Sequence, residues 1–395
     1  MRVYTCTPMP FGGDERFFTR DSGLFSRGLR RLGHESMAVM PGSPQAGDLQ
    51  ELLRVPYKNL ESPEFWRELR LDGVILYSWA APRYLPIARA IETAGIPFLV
   101  NVDSCGLVSR PANPQLWWRD LVPYLMRKAD SPMEAARFVA QVVDNLGIHR
   151  VARGRLKTYE AATVVCGVSP MASQWLRNEA IHFGREDLSA KVHYLPHPQM
   201  DVFSYNGQRK ENMVLSVARW EREDWAQKNP SALLEALQRF LAACPDWKAC
   251  VIGSGASQLA KRLGKAQAPH LERCEFMDFI QPDQLVPFFC KAKIGFWSSR
   301  SEGQIGAGAQ ALCCGCSVVS GNAGTLSCFH HYTSRESGRL AAGMKAGAMA
   351  EALMLEAQAW EAGERDAHRI SSIWCDEFHA DAVADRALRL LKIAG

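Results

Sequence analysis

The stretch Phe296–Trp297–Ser298–Ser299–Arg300–Ser301–Glu302–Gly303–Gln304–Ile305–Gly306–Ala307–Gly308–Ala309–Gln310–Ala311–Leu312–Cys313–Cys314–Gly315–Cys316–Ser317–Val318–Val319–Ser320 reads as strand, turn, helix, strand. The apolar run Lys293–Trp297 has the length and composition of a buried strand, Ile305–Cys313 is a small-residue helix, and Ser317–Val319 starts the next strand. Two strands joined by a helix are the repeating unit of a parallel sheet. A glycine-rich helix start offers free amides and the positive end of a helix dipole, both of which favour a phosphate group. Glu302 stands just ahead of that start, where a solvated surface role explains it poorly.

The same alternation extends through the chain. Strands are predicted at Arg2–Thr5, Ser36–Met40, Gly73–Tyr77, Pro97–Val102, Thr163–Val168 and Val192–Leu195, with helices at Gly23–Leu32 and Tyr84–Ala94. After the polar, turn-rich segment Asp201–Asn212 a second series begins: strands at Met213–Val217, Ala249–Ile252 and Cys274–Met277, helices at Ala232–Ala243 and Pro282–Phe288. The expected organisation is therefore α/β, with one doubly wound domain over residues 1–205 and another over 206–375. The last segment, 376–395, reads as an amphipathic helix through Ala382, Ala384, Leu388 and Leu391, free to pack on either domain.

Composition narrows the class. A chain of 395 residues with 47% hydrophobic and 22% charged residues can bury a full core, which excludes a disordered chain. Its apolar runs fall short of the roughly 18 residues a membrane span needs, and Met1–Thr7 leads into a Pro and Gly turn rather than a signal-peptide core, so a cytoplasmic protein is expected. Residues 1–200 carry 24 basic against 20 acidic side chains, which accounts for the whole net charge of +4. That excess suits an anionic acceptor or a membrane surface better than nucleic acid. In a reducing compartment the 12 cysteines are thiols; Cys313, Cys314 and Cys316 lack a second pair at zinc-site spacing and read as buried packing residues.

Three loops at predicted strand ends could carry chemistry, because doubly wound sheets bind ligands there. One is the stretch around Glu302. In another, Ser216–Val217–Ala218–Arg219 is followed by Lys228–Asn229–Pro230 at a helix start. An Arg and a Lys at such a mouth can clamp a diphosphate, or can be loop charges partnered by Glu221, Glu223 and Asp224. In the third, Gly253–Ser254–Gly255 allows close backbone approach, a common and weak signal.

The stretch around Glu302 resembles the signature of the retaining glycosyltransferases of family four, nucleotide-sugar-dependent enzymes of the GT-B fold. In that family Ser-x-x-Glu-Gly-phenylalanine-Gly is followed by a second Glu, a small-residue helix and Gly-x-Pro-Val-Val. The order of other motifs agrees: Gly12–Gly13 after the first strand, Gly33–His34–Glu35, Val168–Ser169, Tyr194–Pro198 with Asp201–Phe203 at the linker, and Val217–Ala218–Arg219. The resemblance implies two Rossmann-like domains facing a central cleft, the first for the acceptor and the second for the donor. It implies that Arg219 and Lys228 hold the donor pyrophosphate, that Glu302 faces the transferred sugar, and that Gly303, Gln304, Ile305 and Gly306 touch sugar or phosphate. Gly12 and Gly13 would cover the distal phosphate, Gly253 and Gly255 would line the donor site, and Phe279 and Ile280 would meet the base.

Two departures from the family stand out. Gln310 replaces the carboxylate usually placed on the ribose; an amide can still bond to a diol but gives up a charge-assisted bond of about 1.5–3 kcal/mol. Where the family commonly has a His, the sequence reads Asn101–Val102–Asp103–Ser104, which makes Asp103 the local catalytic candidate. With no Asp-x-Asp pair in the chain, the expectation is retaining, metal-independent transfer with no cofactor beyond the nucleotide-sugar substrate. On the acceptor side, Arg16, Arg20 and Asp21 follow the Gly pair as candidate ligands for a glycan or lipid-linked acceptor. The aromatic and basic runs Leu116–Lys128 and His149–Lys157 fit either peripheral membrane association or helices with one solvated face. Gln310 and the missing His also admit a degenerate relative serving as a sugar-nucleotide-binding or scaffold subunit.

Overall fold

In the computed structural model, residues 1–102, 132–133, 136, 148–262, 269–324 and 327–392 are described. They divide into two compact units, the first made of the described residues 1–102, 148–201 and those from Glu377 onward, the second of residues 132–133 and 136 with Val202 to Asp376. Among the described residues no helix is long and apolar enough to cross a membrane.

The first unit is a seven-stranded sheet of β1 (Val3–Cys6), β2 (Ala38–Pro41), β3 (Leu52–Val55), β4 (Gly73–Tyr77), β5 (Phe98–Val102), β6 (Val164–Gly167) and β7 (Val192–Tyr194), in the order β3-β2-β1-β4-β5-β6-β7. Every pairing within it is parallel. Alternate residues of β4 serve opposite faces: Val74 and Leu76 join a core with Ile87, Ile91 and Val100, while Ile75 and Tyr77 join one with Val3, Phe25 and Leu99.

The second unit has six parallel strands, β8 (Glu211–Val217), β9 (Lys248–Ile252), β10 (Cys274–Met277), β11 (Ala292–Trp297), β12 (Ser317–Ser320) and β13 (Gly338–Leu340), in the order β10-β9-β8-β11-β12-β13. Its core packs Val214, Val251, Ile294 and Phe296 under Leu233, Leu237 and Leu353. Each unit is thus doubly wound, as the alternation of strands and helices implies. Cys313, Cys314 and Cys316 are fully buried thiols between the helix Gly306–Cys313 and β12.

Three departures from the sequence expectation have physical causes. The strand β3 escapes the apolar pattern because it carries Arg54, whose Nε lies 2.6 Å from Asp48 Oδ2 and whose Nη2 donates to the Phe11 carbonyl at 2.8 Å. The helix Ala346–Glu361 has no polar stripe to mark it, since alanines bury much of its circumference and Glu356 is itself fully buried against Arg365. The segment 376–395 is not one helix: the helix Ala367–Phe378 ends there, and after His379 a new one spans Ala380–Leu391. That last helix lays Val383, Ala384, Ala387, Leu388 and Leu391 against Val3, Phe25 and Leu29 of the first unit. Gly28 is required at the crossing, because a Cβ there would stand 2.2 Å from the Ala380 carbonyl oxygen.

Candidate functional site

Strand order reverses direction between β8 and β11 in the second unit and between β1 and β4 in the first, and such switch points are where doubly wound sheets open into a crevice. The candidate residues gather at both.

In the second unit the ends of β8 and β11 are tied together by Ser216 Oγ, which donates to the Phe296 carbonyl at 2.7 Å, and by Trp297 Nε1, which donates to the Val217 carbonyl at 3.0 Å. The chain leaving β8 is anchored by Trp220, a buried side chain whose Nε1 donates to the Ile252 carbonyl at 3.0 Å. Trp225 Nε1 in turn donates to the Trp220 carbonyl at 2.7 Å, so the two tryptophans order the loop between Arg219 and Lys228. Arg219 itself projects from this anchored backbone with its side chain 70% exposed, its Nη2 3.4 Å from the buried carboxylate of Asp224.

The Gly253–Gly255 pair has a local structural duty. A Cβ on Gly253 would lie 1.9 Å from the Ala218 carbonyl oxygen, and one on Gly255 would lie 2.9 Å from the Trp220 backbone. Both glycines have positive φ, 131° and 85°. They admit the chain that carries Arg219. The helix start just beyond them is capped by Asp278, whose Oδ1 accepts the Ser257 N–H at 3.2 Å. Phe279, 61% exposed, and half-buried Ile280 follow in the loop after β10.

Lys228 and Glu302 are brought together by a ladder between two loops. Arg300 N donates to the Gln227 carbonyl at 2.8 Å, Gln227 Nε2 donates to the Ser301 carbonyl at 2.9 Å, and Ser298 Oγ donates to the Lys228 carbonyl at 2.7 Å. Asn229, in the left-handed region at φ 53°, turns the chain into the helix Pro230–Ala243 and accepts from Arg300 Nη2 at 3.0 Å. On its other side Glu302 is fixed through its carbonyl, which accepts the Cys328 N–H at 3.0 Å. The result is an ion pair with Lys228 Nζ 2.6 Å from Glu302 Oε1, the side chains 10% and 7% exposed. One bond leaves the ammonium two further N–H donors, and the carboxylate further lone pairs.

Beyond Glu302, half-buried Gly303 and Gln304 lead to Ile305, from which the helix Gly306–Cys313 starts with no side-chain cap on its first amides. Gly308 fits against Ile305 and the Tyr332 ring, where a Cβ would meet Ile305 Cγ2 at 2.5 Å. Gln310 lies half-buried on the same helix.

In the first unit, Gly12, Arg16, Arg20 and Asp21 line one cavity of about 380 Å³ at the β1/β4 switch point. Gly13 does not join them: it is buried against Asp48 and Leu52, with a would-be Cβ 2.2 Å from Asp48 Oδ1. Sequence reasoning missed Phe11, Tyr77, Trp79 and His197, which line the same cavity. The His197 ring stacks on Tyr77 with centroids 5.8 Å apart, and its Nδ1 lies 3.9 Å from Asp21 Oδ1, while Arg20 Nε pairs with Asp21 Oδ2 at 2.8 Å. Asp21 and Trp79 both have positive φ, 45° and 53°, a cost that tends to be concentrated at functional sites. The position of Trp79, two residues past a central strand at the switch point, is the one signal by which it could have been found.

Asp103 and the run Leu116–Lys128 lie outside the described residues. The basic run His149–Lys157 falls in the helix Ile148–Ala161, where Arg155 turns inward to a buried pair with Glu179, its Nε 3.1 Å from Oε1, and Arg153 lies over the Phe183 ring.

Residues 211–355, within the second unit, match the family described as Glycosyl transferases group 1. No curated protein sequence matches the chain. Among solved structures, sucrose-phosphate synthase from Thermosynechococcus elongatus is similar with a TM-score of 0.61 at 16% identity, over 100% of this chain and 99% of that one. HepE of Anabaena in complex with UDP gives 0.63 at 12%, and the lipopolysaccharide outer core galactosyltransferase WaaB gives 0.63 at 11%, each covering 100% of both chains. The two doubly wound units therefore form the GT-B fold, and the resemblance read around Glu302 is borne out.

Proposed function

We propose that this chain, with a GT-B fold and the group 1 glycosyltransferase pattern in its second unit, transfers a sugar from a nucleoside-diphosphate sugar to an acceptor hydroxyl with retention of anomeric configuration. The observation that carries the reading is the buried Lys228–Glu302 pair at the β8/β11 switch point, with Arg219 exposed on the neighbouring loop. HepE, which has this fold, was solved with UDP and with UDP-glucose, which makes a uridine donor the first to test.

In this mechanism Arg219, Lys228 and the amides from Gly303 to Gly306 neutralise the diphosphate as it departs, which is the electrostatic work a charge-separating transfer needs. Glu302, held by Lys228, accepts hydrogen bonds from hydroxyls of the transferred sugar and orients the ring. Phe279 and Ile280 meet the base, Gln310 the ribose, and Gly12 leaves its surroundings open for a phosphate or an acceptor. An acceptor hydroxyl attacks the face the diphosphate leaves, and its proton passes to the departing phosphate oxygen. Two cations and a helix start supply the charge that a divalent ion would otherwise provide, so transfer is expected to persist in EDTA; activity abolished by EDTA and restored by manganese would refute that part.

The test is a thermal-shift panel of UDP-, GDP- and ADP-sugars, followed by donor hydrolysis and transfer with a Glu302→Ala control. A ligand at about 100 times its Kd stabilises by roughly 2.7 kcal/mol, well within detection. Binding without turnover across a broad acceptor panel would instead favour a sugar-nucleotide-binding scaffold, the reading motivated by Gln310 in place of a carboxylate.

A further inference from the structure

Asp224 is a buried charge that the transfer mechanism leaves without a task. Its side chain is 4% exposed, yet the cation beside it, Arg219, is 70% exposed, with Nη2 3.4 Å from Asp224 Oδ1. Among the described residues no other cation pairs with Asp224. Taking a carboxylate out of water is costly, and a loose pair with a solvated arginine offsets little of that cost. The order of the loop has other sources. Trp220 Nε1 donates to the Ile252 carbonyl at 3.0 Å, Trp225 Nε1 to the Trp220 carbonyl at 2.7 Å, and the Asp224 N–H to the Glu221 carbonyl at 2.9 Å. These bonds fix the backbone on both sides of the carboxylate, while the long Arg219 side chain reaches into solvent.

What the carboxylate supplies is direction. A solvated arginine loses rotamer freedom when it grips an anion, and a guanidinium already drawn to one attitude loses less. The contact is longer than the roughly 2.7–2.9 Å of a tight charge-assisted hydrogen bond, and it engages one N–H of the five, which leaves a fork of donors for phosphate oxygens. At 4% exposure the carboxylate offers almost no surface of its own, so an arriving anion meets the guanidinium and not the acid.

We propose that Asp224 is a positioning residue, which holds the Arg219 guanidinium in the attitude that meets a nucleoside diphosphate and sets donor affinity through Arg219 alone. The inference rests on the sugar-transfer reading for the identity of the anion. The two roles the sequence leaves open for Arg219, diphosphate clamp and loop charge with an acidic partner, are then one arrangement.

The experiment is a double-mutant cycle read by calorimetric titration of the full-length protein with UDP, GDP and ADP, on the wild type, Asp224→Asn, Arg219→Ala and the double variant. Asp224→Asn keeps the shape of the side chain and removes its charge. It is expected to weaken the best-bound diphosphate by about three- to tenfold, the effect of having one more long side chain to order, with a melting temperature near that of the wild type. Arg219→Ala weakens binding further, and in that background Asp224→Asn should change affinity by no more than about twofold. Equal weakening with and without Arg219 overturns the proposal, because the carboxylate would then act through the fold or on the ligand directly. Unchanged affinity in Asp224→Asn overturns it as well, and so does a melting temperature far below the wild type in both Asp224→Asn and Asp224→Ser, which would make the carboxylate a structural group. If the wild type binds none of the three diphosphates, the sugar-transfer reading fails and this inference with it; binding in the wild type without coupling overturns this inference alone.

Discussion

Lys228 Nζ and Glu302 Oε1 are 2.6 Å apart at the carboxyl ends of two central strands, in side chains that are 10% and 7% exposed. Charges removed from water to this degree are tolerable as a pair and costly singly. Lys228→Ala is expected to lower the stability of the second unit by about 3–5 kcal/mol, measured from denaturant midpoints, and Glu302→Ala by a similar amount. The double variant Lys228→Met with Glu302→Leu should regain most of that stability while remaining inactive. If it stayed as unstable as either single variant, the pair would not be the reason for the loss.

Arg219 should behave in the opposite way. With 70% of its side chain exposed and Asp224 at 3.4 Å, its removal should cost under about 1 kcal/mol of stability. Donor affinity should nevertheless fall by roughly 10- to 150-fold, the equivalent of a charged hydrogen bond worth about 1.5–3 kcal/mol. Calorimetric titration with a nucleotide sugar checks this, and unchanged affinity would remove Arg219 from the diphosphate site.

Gly253→Ala places a methyl group where the Ala218 carbonyl oxygen lies 1.9 Å away, at a φ of 131°. A residue forced into an incompatible backbone loses more than about 1 kcal/mol. Because the displaced chain leads directly into Arg219, donor affinity should drop together with melting temperature. A variant with normal affinity and a lowered melting temperature would show that the glycine serves stability alone.

Asp278 gives a pH signature. Its carboxyl is held below the usual aspartate value by hydrogen bonds from the Ser257 side chain and amide. A carboxyl depressed in the folded state adds stability above its unfolded pKa and loses it as pH falls through the folded value. Protection of the Ser257 amide against hydrogen exchange should thus persist at neutral pH and disappear below the normal aspartate range, around 3.9 and lower. Asp278→Asn should flatten that dependence, and an unaltered profile would assign the capping to another group.

Legibility from sequence followed the range of the interactions involved. The strand Gly73–Tyr77 was readable to the residue, because burial on both faces demands an unbroken apolar run. The stretch around Glu302 was readable because the close packing of Gly308 on Ile305 and Tyr332 restricts residue type locally. The strand at Arg54 and the alanine-rich helix Ala346–Glu361 were not, since a buried ion pair and all-round burial each erase the periodic signal. His197 joins Asp21 and Tyr77 across more than a hundred residues of chain, and no local pattern announces such a meeting. The Gly253–Gly255 pair was legible as a close approach; that the approaching group includes this chain's own Ala218 and Trp220 was not.

The return of the helix Ala380–Leu391 to the first unit makes the segment Val202–Asp376, the bulk of the second unit, an insertion within the first. A stop codon near residue 378 would accordingly leave the sequence of the second unit whole and strip the cover from Val3, Phe25 and Leu29. Loss of that helix would surface as aggregation seeded by the opening residues, and a hybrid made by exchanging second units between relatives would need two splice junctions instead of one.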